Sequence, residues 1–132
     1  DEARHATAYK NFVSRIFEIN PNEIMLAFED MMRKKIIMPA HYLRESGGKI
    51  GDLFTHFSIA AQRIKVYTTQ DYIDILSSLL KEWNIENMVG IDDSAEKARD
   101  YLMALPNRMQ RIVERIKIPE KQYQFKWIGV SN

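Results

Sequence analysis

Apolar residues recur along most of this chain at intervals of three and four, the period of helices with one face turned to a core. Tyr9, Phe12, Val13, Ile16 and Phe17 open the pattern and predict a helix over the first 19 residues, buried along that stripe. Asn20-Pro21-Asn22 interrupts it. Either asparagine suits an N-cap, with Pro21 near the first turn of the next helix. This second helix is predicted from about Glu23 to Lys35, burying Ile24, Met25, Ala27, Phe28, Met31 and Met32. It ends in Arg33-Lys34-Lys35, cations that complement the negative end of a helix dipole.

Gly47, Gly48 and Gly51 mark a loop, after which Asp52 is expected to cap a third helix to about Ile64, with Leu53, Phe57, Ala60, Ala61 and Ile64 on one side. Thr68 and Asp71 have the spacing of a capping box and start a helix that runs to about Trp83. A connector with Gly90 comes next, and Ser94 is expected to cap the helix after it. Proline fits a first turn and disrupts an interior, so this helix should stop before Pro106 and a last one should run from there to about Ile116. Tyr123, Phe125 and Trp127 alternate, a short strand signal. The expectation is an all-α piece, helical over 1–116, with an irregular, extended or β tail over 117–132.

Composition narrows the classes. With 132 residues the chain is one domain or part of one. There is no cysteine, which excludes a disulfide scaffold, a thiolate metal site and a cysteine nucleophile. The net charge of +1 argues against a nucleic-acid binder that works through bulk charge. No apolar run is long enough to span a membrane.

One constellation carries chemistry. Glu2 and His5 form a Glu-x-x-His pair, and at about 100° per residue they share a helix face. Extending the apolar stripe backwards from Tyr9 lands on them, so both are expected to point the way the core residues point. A buried carboxylate needs a partner, a proton or a metal. One Glu-x-x-His from each of two helices, with a Glu from each of two others, is the ligand set of di-iron bundles. Carboxylate and imidazole suit iron or manganese. The same spacing also arises by chance, and two ligands do not make a di-iron site. His41 follows a proline turn and His56 lies beside Phe57; both read as packing or hydrogen-bonding residues.

Charge is uneven locally. Residues 68–104 hold eight acids against Lys81, Lys97 and Arg99, whereas 106–126 hold six cations against Glu114 and Glu120. Arg108, Arg111 and Arg115 recur at three and four residues and share one face. That face is either solvated or a docking stripe for an acidic partner.

Several runs together are specific: Asp1-Glu2-Ala3-Arg4-His5-Ala6-Thr7-Ala8-Tyr9; Leu26-Ala27-Phe28 with Asp30-Met31-Met32-Arg33-Lys34-Lys35-Ile36 and Met38-Pro39-Ala40-His41; and Phe54, His56-Phe57-Ser58, Ala61-Gln62-Arg63, Val66-Tyr67-Thr68, Asp71-Tyr72 and Leu105-Pro106. From Asp1 to about Ile116 the chain resembles the soluble, stearoyl-type acyl-[acyl carrier protein] desaturases. The resemblance implies a ferritin-like helical bundle with two iron ions, usually a homodimer. It implies an enzyme that uses O2 and electrons from ferredoxin to place a cis double bond in an acyl chain on acyl carrier protein. It assigns Glu2 and His5 as metal ligands, Glu2 bridging, and Asp1 as an acid near the metal on the electron route. Arg111 matches a position that docks acyl carrier protein, in line with the Arg108 and Arg115 stripe, and Phe54 and Thr55 match the mouth of the acyl channel.

The family's first Glu-x-x-His and its two single-Glu helices have no counterpart here. The chain is therefore expected to be the C-terminal portion of one desaturase domain, holding no stable di-iron centre by itself. The tail from Lys117 departs from plastid members, so a bacterial cytoplasm is expected ahead of a plastid stroma. Two other readings remain open on the residues alone: another ferritin-like di-iron oxidase or oxygenase, and a non-enzymatic helical module that binds an acidic protein.

Overall fold

The computed structural model describes residues 1–34, 42 and 48–115. Among them the architecture is all-α: α1 Glu2–Ile19, α2 Pro21–Arg33, α3 Asp52–Arg63, α4 Thr69–Glu82 and α5 Asp93–Val113, with a 3-10 turn at Ile85–Asn87 between α4 and α5. The alternating Tyr123, Phe125 and Trp127 and the histidine at 41 lie outside the described residues.

Local cap chemistry sets most of the helix starts. The Asn20 side chain accepts from the Glu23 N–H, and Pro21 takes the first helical position, where its missing N–H costs nothing. Asn22 reaches further and accepts the Asp92 N–H at 2.9 Å, tying the start of α2 to the start of α5. Thr68 and Asp71 form the full reciprocal box. Two expected caps are displaced. Asp92, not Ser94, caps α5, its carboxylate accepting from the Ser94 and Ala95 N–H groups at 2.9 Å each. Gly51, not Asp52, caps α3, in a left-handed conformation at φ 89° that glycine adopts without a Cβ clash.

The largest departure is at Pro106, which lies inside one continuous helix, α5. Proline leaves the carbonyl four residues before it without its helical donor and costs about 3 kcal/mol in a helix interior. Packing offsets this. Ala95, Ala98 and Leu102 are fully buried, and Leu105 and Met109 pack on the same cluster. That spacing of 3, 4, 3 and 4 keeps one apolar stripe running through the proline. Burying a leucine-sized side chain is worth about 1.5–3 kcal/mol, so the residues on either side of Pro106 outweigh the lost hydrogen bond.

The core lies between α2, α4 and α5, closed by the 3-10 turn: Met25, Phe28, Leu76, Leu80, Ile85 and Leu102 fill it, and Phe17 joins from α1. Of the residues expected to be buried on α2, Ile24 and Met32 are half-buried, whereas Ala27 and Met31 are exposed. Gly90, at φ 75°, turns the chain into α5, and an added Cβ there would meet nothing within 4 Å. Arg99 holds this connector by donating to the Met88 carbonyl at 3.2 Å.

The expectation of a single buried stripe on α1 is corrected. Phe17 is the helix's one buried residue, and Tyr9, Phe12 and Ile19 are 68%, 63% and 70% exposed. At about 100° per residue, Glu2, His5, Tyr9, Phe12, Ile16 and Ile19 occupy one sector, and Phe17 with Lys10 lies about 110° round the helix from its centre. The helix thus has two faces: a narrow one packed on this chain and a broader apolar one turned outward. The periodicity merged them because Val13 lies between the two. α3 likewise has no buried residue, and its Leu53, Phe57 and Ile64 are exposed.

Candidate metal pair and docking face

Glu2 and His5 sit in the first turn and a half of α1, on its outward face, with His5 Nδ1 and Glu2 Oε2 3.6 Å apart. Their side chains are 98% and 63% exposed, so the expected burial of this pair is also corrected. The physical reason is the two-faced helix: the sector that carries them is apolar further along but packs on nothing in the core described above. Asp1 precedes them as the helix N-cap, its carbonyl accepting the Arg4 and His5 N–H groups at 3.0 and 3.1 Å, with no capping bond from its side chain.

The donors fit one part of an iron site in type and spacing, a carboxylate and an imidazole one turn apart. Among the described residues no group of three or more His, Asp and Glu could hold an ion. By itself the pair makes no complete metal site.

Phe54 and Thr55 lie together in the first turn of α3. Phe54 is half-buried, and the Thr55 hydroxyl donates back to the Gly51 carbonyl at 2.8 Å, so Thr55 is spent locally on the helix start. His56 is half-buried and has a partner.

Arg108 and Arg111 lie in the last two turns of α5, Arg115 just past its end, and all three are exposed. Their spacing puts them within about 60° of one another if the helical turn is continued. The half-buried Tyr101 ring organises the start of this stripe. The Arg33 guanidinium lies 3.8 Å from its centroid and that of Arg108 5.7 Å, so one tyrosine gathers cations from α2 and α5. Arg33 is also held by Glu29, through Nε at 2.9 Å and Nη2 at 2.6 Å. Nothing in the spacing of positions 33 and 101 announces this contact.

Elsewhere, the Tyr72 hydroxyl lies 3.9 Å from Met32 Sδ, and burial, with a smaller contribution from Tyr67, pushes its pKa up. An open groove of about 550 Å³ runs between the end of α4 and the middle of α5, lined by Lys81, Asn84, Met103 and Asn107 among others; it contains none of the expected site residues. No helix among the described residues is long and apolar enough to cross a membrane.

The fatty acid desaturase family model matches residues 1–129. The chain belongs to the fatty acid desaturase family. It is 47% identical over 131 residues to the chloroplastic stearoyl-[acyl-carrier-protein] 9-desaturase of Spinacia oleracea, covering 97% of this chain and 32% of that protein. It is 46% identical to the enzyme of the same name from Ricinus communis and 45% identical to the chloroplastic acyl-[acyl-carrier-protein] desaturase of Cucumis sativus, over 97% of this chain and 33% of each relative. The chain thus spans about a third of the length of these curated relatives. This desaturase family is iron-dependent. The relatives are plant enzymes named as chloroplastic, which points to a plastid and overturns the expectation of a bacterial cytoplasm.

Proposed function

We propose that this chain is the C-terminal portion of an acyl-carrier-protein desaturase, which introduces a cis double bond into a carrier-bound acyl chain in fatty acid biosynthesis. The observation that carries it is the Glu2/His5 pair on the outward face of α1 in a member of the desaturase family. In this reading Glu2 and His5 would hold part of a two-iron centre, with the remaining carboxylates and histidine supplied by segments outside these 132 residues. Iron, when bound, supplies the activation of O2 that removal of hydrogen from an unactivated C–H bond requires. Electrons come from ferredoxin, with Asp1 on their route, and the assembled enzyme is a homodimer.

The chain's own residues do the rest. Glu2 and His5 orient the metal pair from one helical face. The apolar residues further along that face, Tyr9, Phe12 and Ile16, are suited to excluding water once other helices cover them. Phe54 and Thr55 border the channel mouth. Arg108, Arg111 and Arg115 attract the acidic carrier protein, an exposed stripe that speeds encounter and sets salt dependence more than it adds affinity.

The test uses the full-length protein. Glu2→Ala and His5→Ala are each expected to lower iron per chain and abolish desaturation of a labelled carrier-bound acyl chain. Normal iron and product in both variants would sink the reading. Iron binding with no desaturation in the unaltered protein would point instead to another di-iron activity. For docking, Arg111→Glu should raise KM for the acyl carrier protein and flatten its salt dependence. A fall in kcat alone would place the residue after docking.

A further inference from the structure

Phe17 is the single buried residue of α1 and lies close to its C-terminal end, about 22 Å along the helix axis from Glu2. Val13, half-buried one turn earlier, also packs on the core, so the stretch from there back to Glu2 is a lever of about 17 Å within this chain. A tilt of about 5° would carry Glu2 some 1.5 Å, whereas a site of this kind needs its groups held to within about 0.5 Å. A further anchor, nearer Glu2 and His5, is present among the described residues. The Trp83 indole N–H donates to the Lys10 carbonyl at 3.2 Å, and the Lys10 ammonium meets Glu82 Oε2 at 2.8 Å. These two bonds join α1 to the end of α4. Trp83 itself is fixed from two sides, its ring packing against Phe17 at 5.8 Å and edge-on against Phe28 at 5.6 Å between centroids.

We infer that Trp83 is a positioning residue: its hydrogen bond to the Lys10 carbonyl fixes the tilt and rotation of α1 and thereby the placement of Glu2 and His5. Lys10 lies about 7.5 Å along the axis from His5 and about 12 Å from Glu2, shortening the free lever by about a quarter. It sits on the inward side of the helix, so the clamp steadies the metal pair from behind and leaves the outward face clear. A backbone carbonyl in mid-helix already accepts its helical N–H; its second lone pair takes the indole, which gives register control independent of any α1 side chain. The Lys10–Glu82 pair is partly solvent-exposed and adds a weaker, salt-sensitive restraint.

The inference rests on the metal reading above, and its test separates the two. In the full-length protein, Trp83→Phe keeps an aromatic ring in the core and removes the N–H donor. Amide hydrogen exchange in the α1 turns before Lys10 should quicken about two- to tenfold, as expected for one lost hydrogen bond, with α4 and α5 unchanged. Iron release to a chelator should quicken by a similar factor. A Leu102→Ala variant brought to a matched loss of melting temperature is the control for general loosening. Unchanged exchange and unchanged iron release in Trp83→Phe would overturn the inference, as would equal iron release in the Leu102 control. If His5→Ala retains normal iron, the metal reading itself is wrong. If His5→Ala loses iron while Trp83→Phe releases it at the normal rate, the metal reading stands and the clamp does not position it.

Discussion

α1 and α5 carry apolar stripes of similar regularity, yet they use them differently. The α5 stripe, from Ala95 through Ala98 and Leu102 to Met109, packs inside this chain and is continuous enough to hold a proline within the helix. The α1 sector of Tyr9, Phe12, Ile16 and Ile19 is exposed, and the same helix contributes Phe17 to the core from another side. Periodicity reports that a face suits burial; it does not report what covers it. On α1 the exposed apolar face is also the one that bears Glu2 and His5.

The sharpest way to break this contrast is to truncate one residue from each stripe. Leu102→Ala should cost about 2–5 kcal/mol wherever it is measured, because its surroundings lie within the chain. Phe12→Ala should change the denaturation midpoint of the 132-residue chain by little, within about 0.5 kcal/mol, yet destabilise the full-length protein by about 3–5 kcal/mol. Equal, small effects in both would mean that the outward face stays solvated. Next in size, Pro106→Ala should raise stability by about 1–3 kcal/mol, since it restores a helical donor without disturbing the stripe. A loss of stability would show that the proline ring supplies packing that an alanine does not.

Cap exchanges give a smaller signal. Asp92→Ala is expected to cost about 1 kcal/mol by thermal melting and Ser94→Ala much less; the reverse order would return the cap to Ser94. The smallest effect is in the pH profile. The Thr68 hydroxyl and then the Thr68 N–H, at 2.7 and 2.6 Å, hold the Asp71 carboxyl below its ordinary value. A depressed carboxylate adds stability above its unfolded pKa and loses it as pH falls through the lower, folded value. Asp71→Asn should therefore lower stability slightly at neutral pH, by less in acid, and so flatten the acid limb of the stability curve; an unaltered limb would remove Asp71 from the account.

What was legible in the sequence was local. The Asn20 cap and the Thr68–Asp71 box depend on atoms within four residues, and the five helices arise from their apolar periods. Pro106 was misread because a local rule met a stripe that extends 11 residues before it and three after. The displaced caps, Asp92 for Ser94 and Gly51 for Asp52, sit within two residues of the expected positions, where several capable side chains compete. The Glu2/His5 pair was picked out as a metal candidate from its spacing, but its exposure was not foreseen, because burial depends on surfaces that no periodicity describes. The Trp83–Lys10 bond and the Arg33–Tyr101 contact span more than sixty residues each and have no pattern in one dimension.

The turn at Gly90 shows a constraint of handedness and not of room. Its backbone lies in the left-handed region, but the space where a side chain would stand is open. An L-alanine there would be strained by its own chirality, with no neighbour to blame. A D-alanine introduced by chemical ligation would adopt the same backbone as its preferred state, occupy the empty space and restrict the unfolded chain, so the mirror-image residue would be the stabilising one at this position.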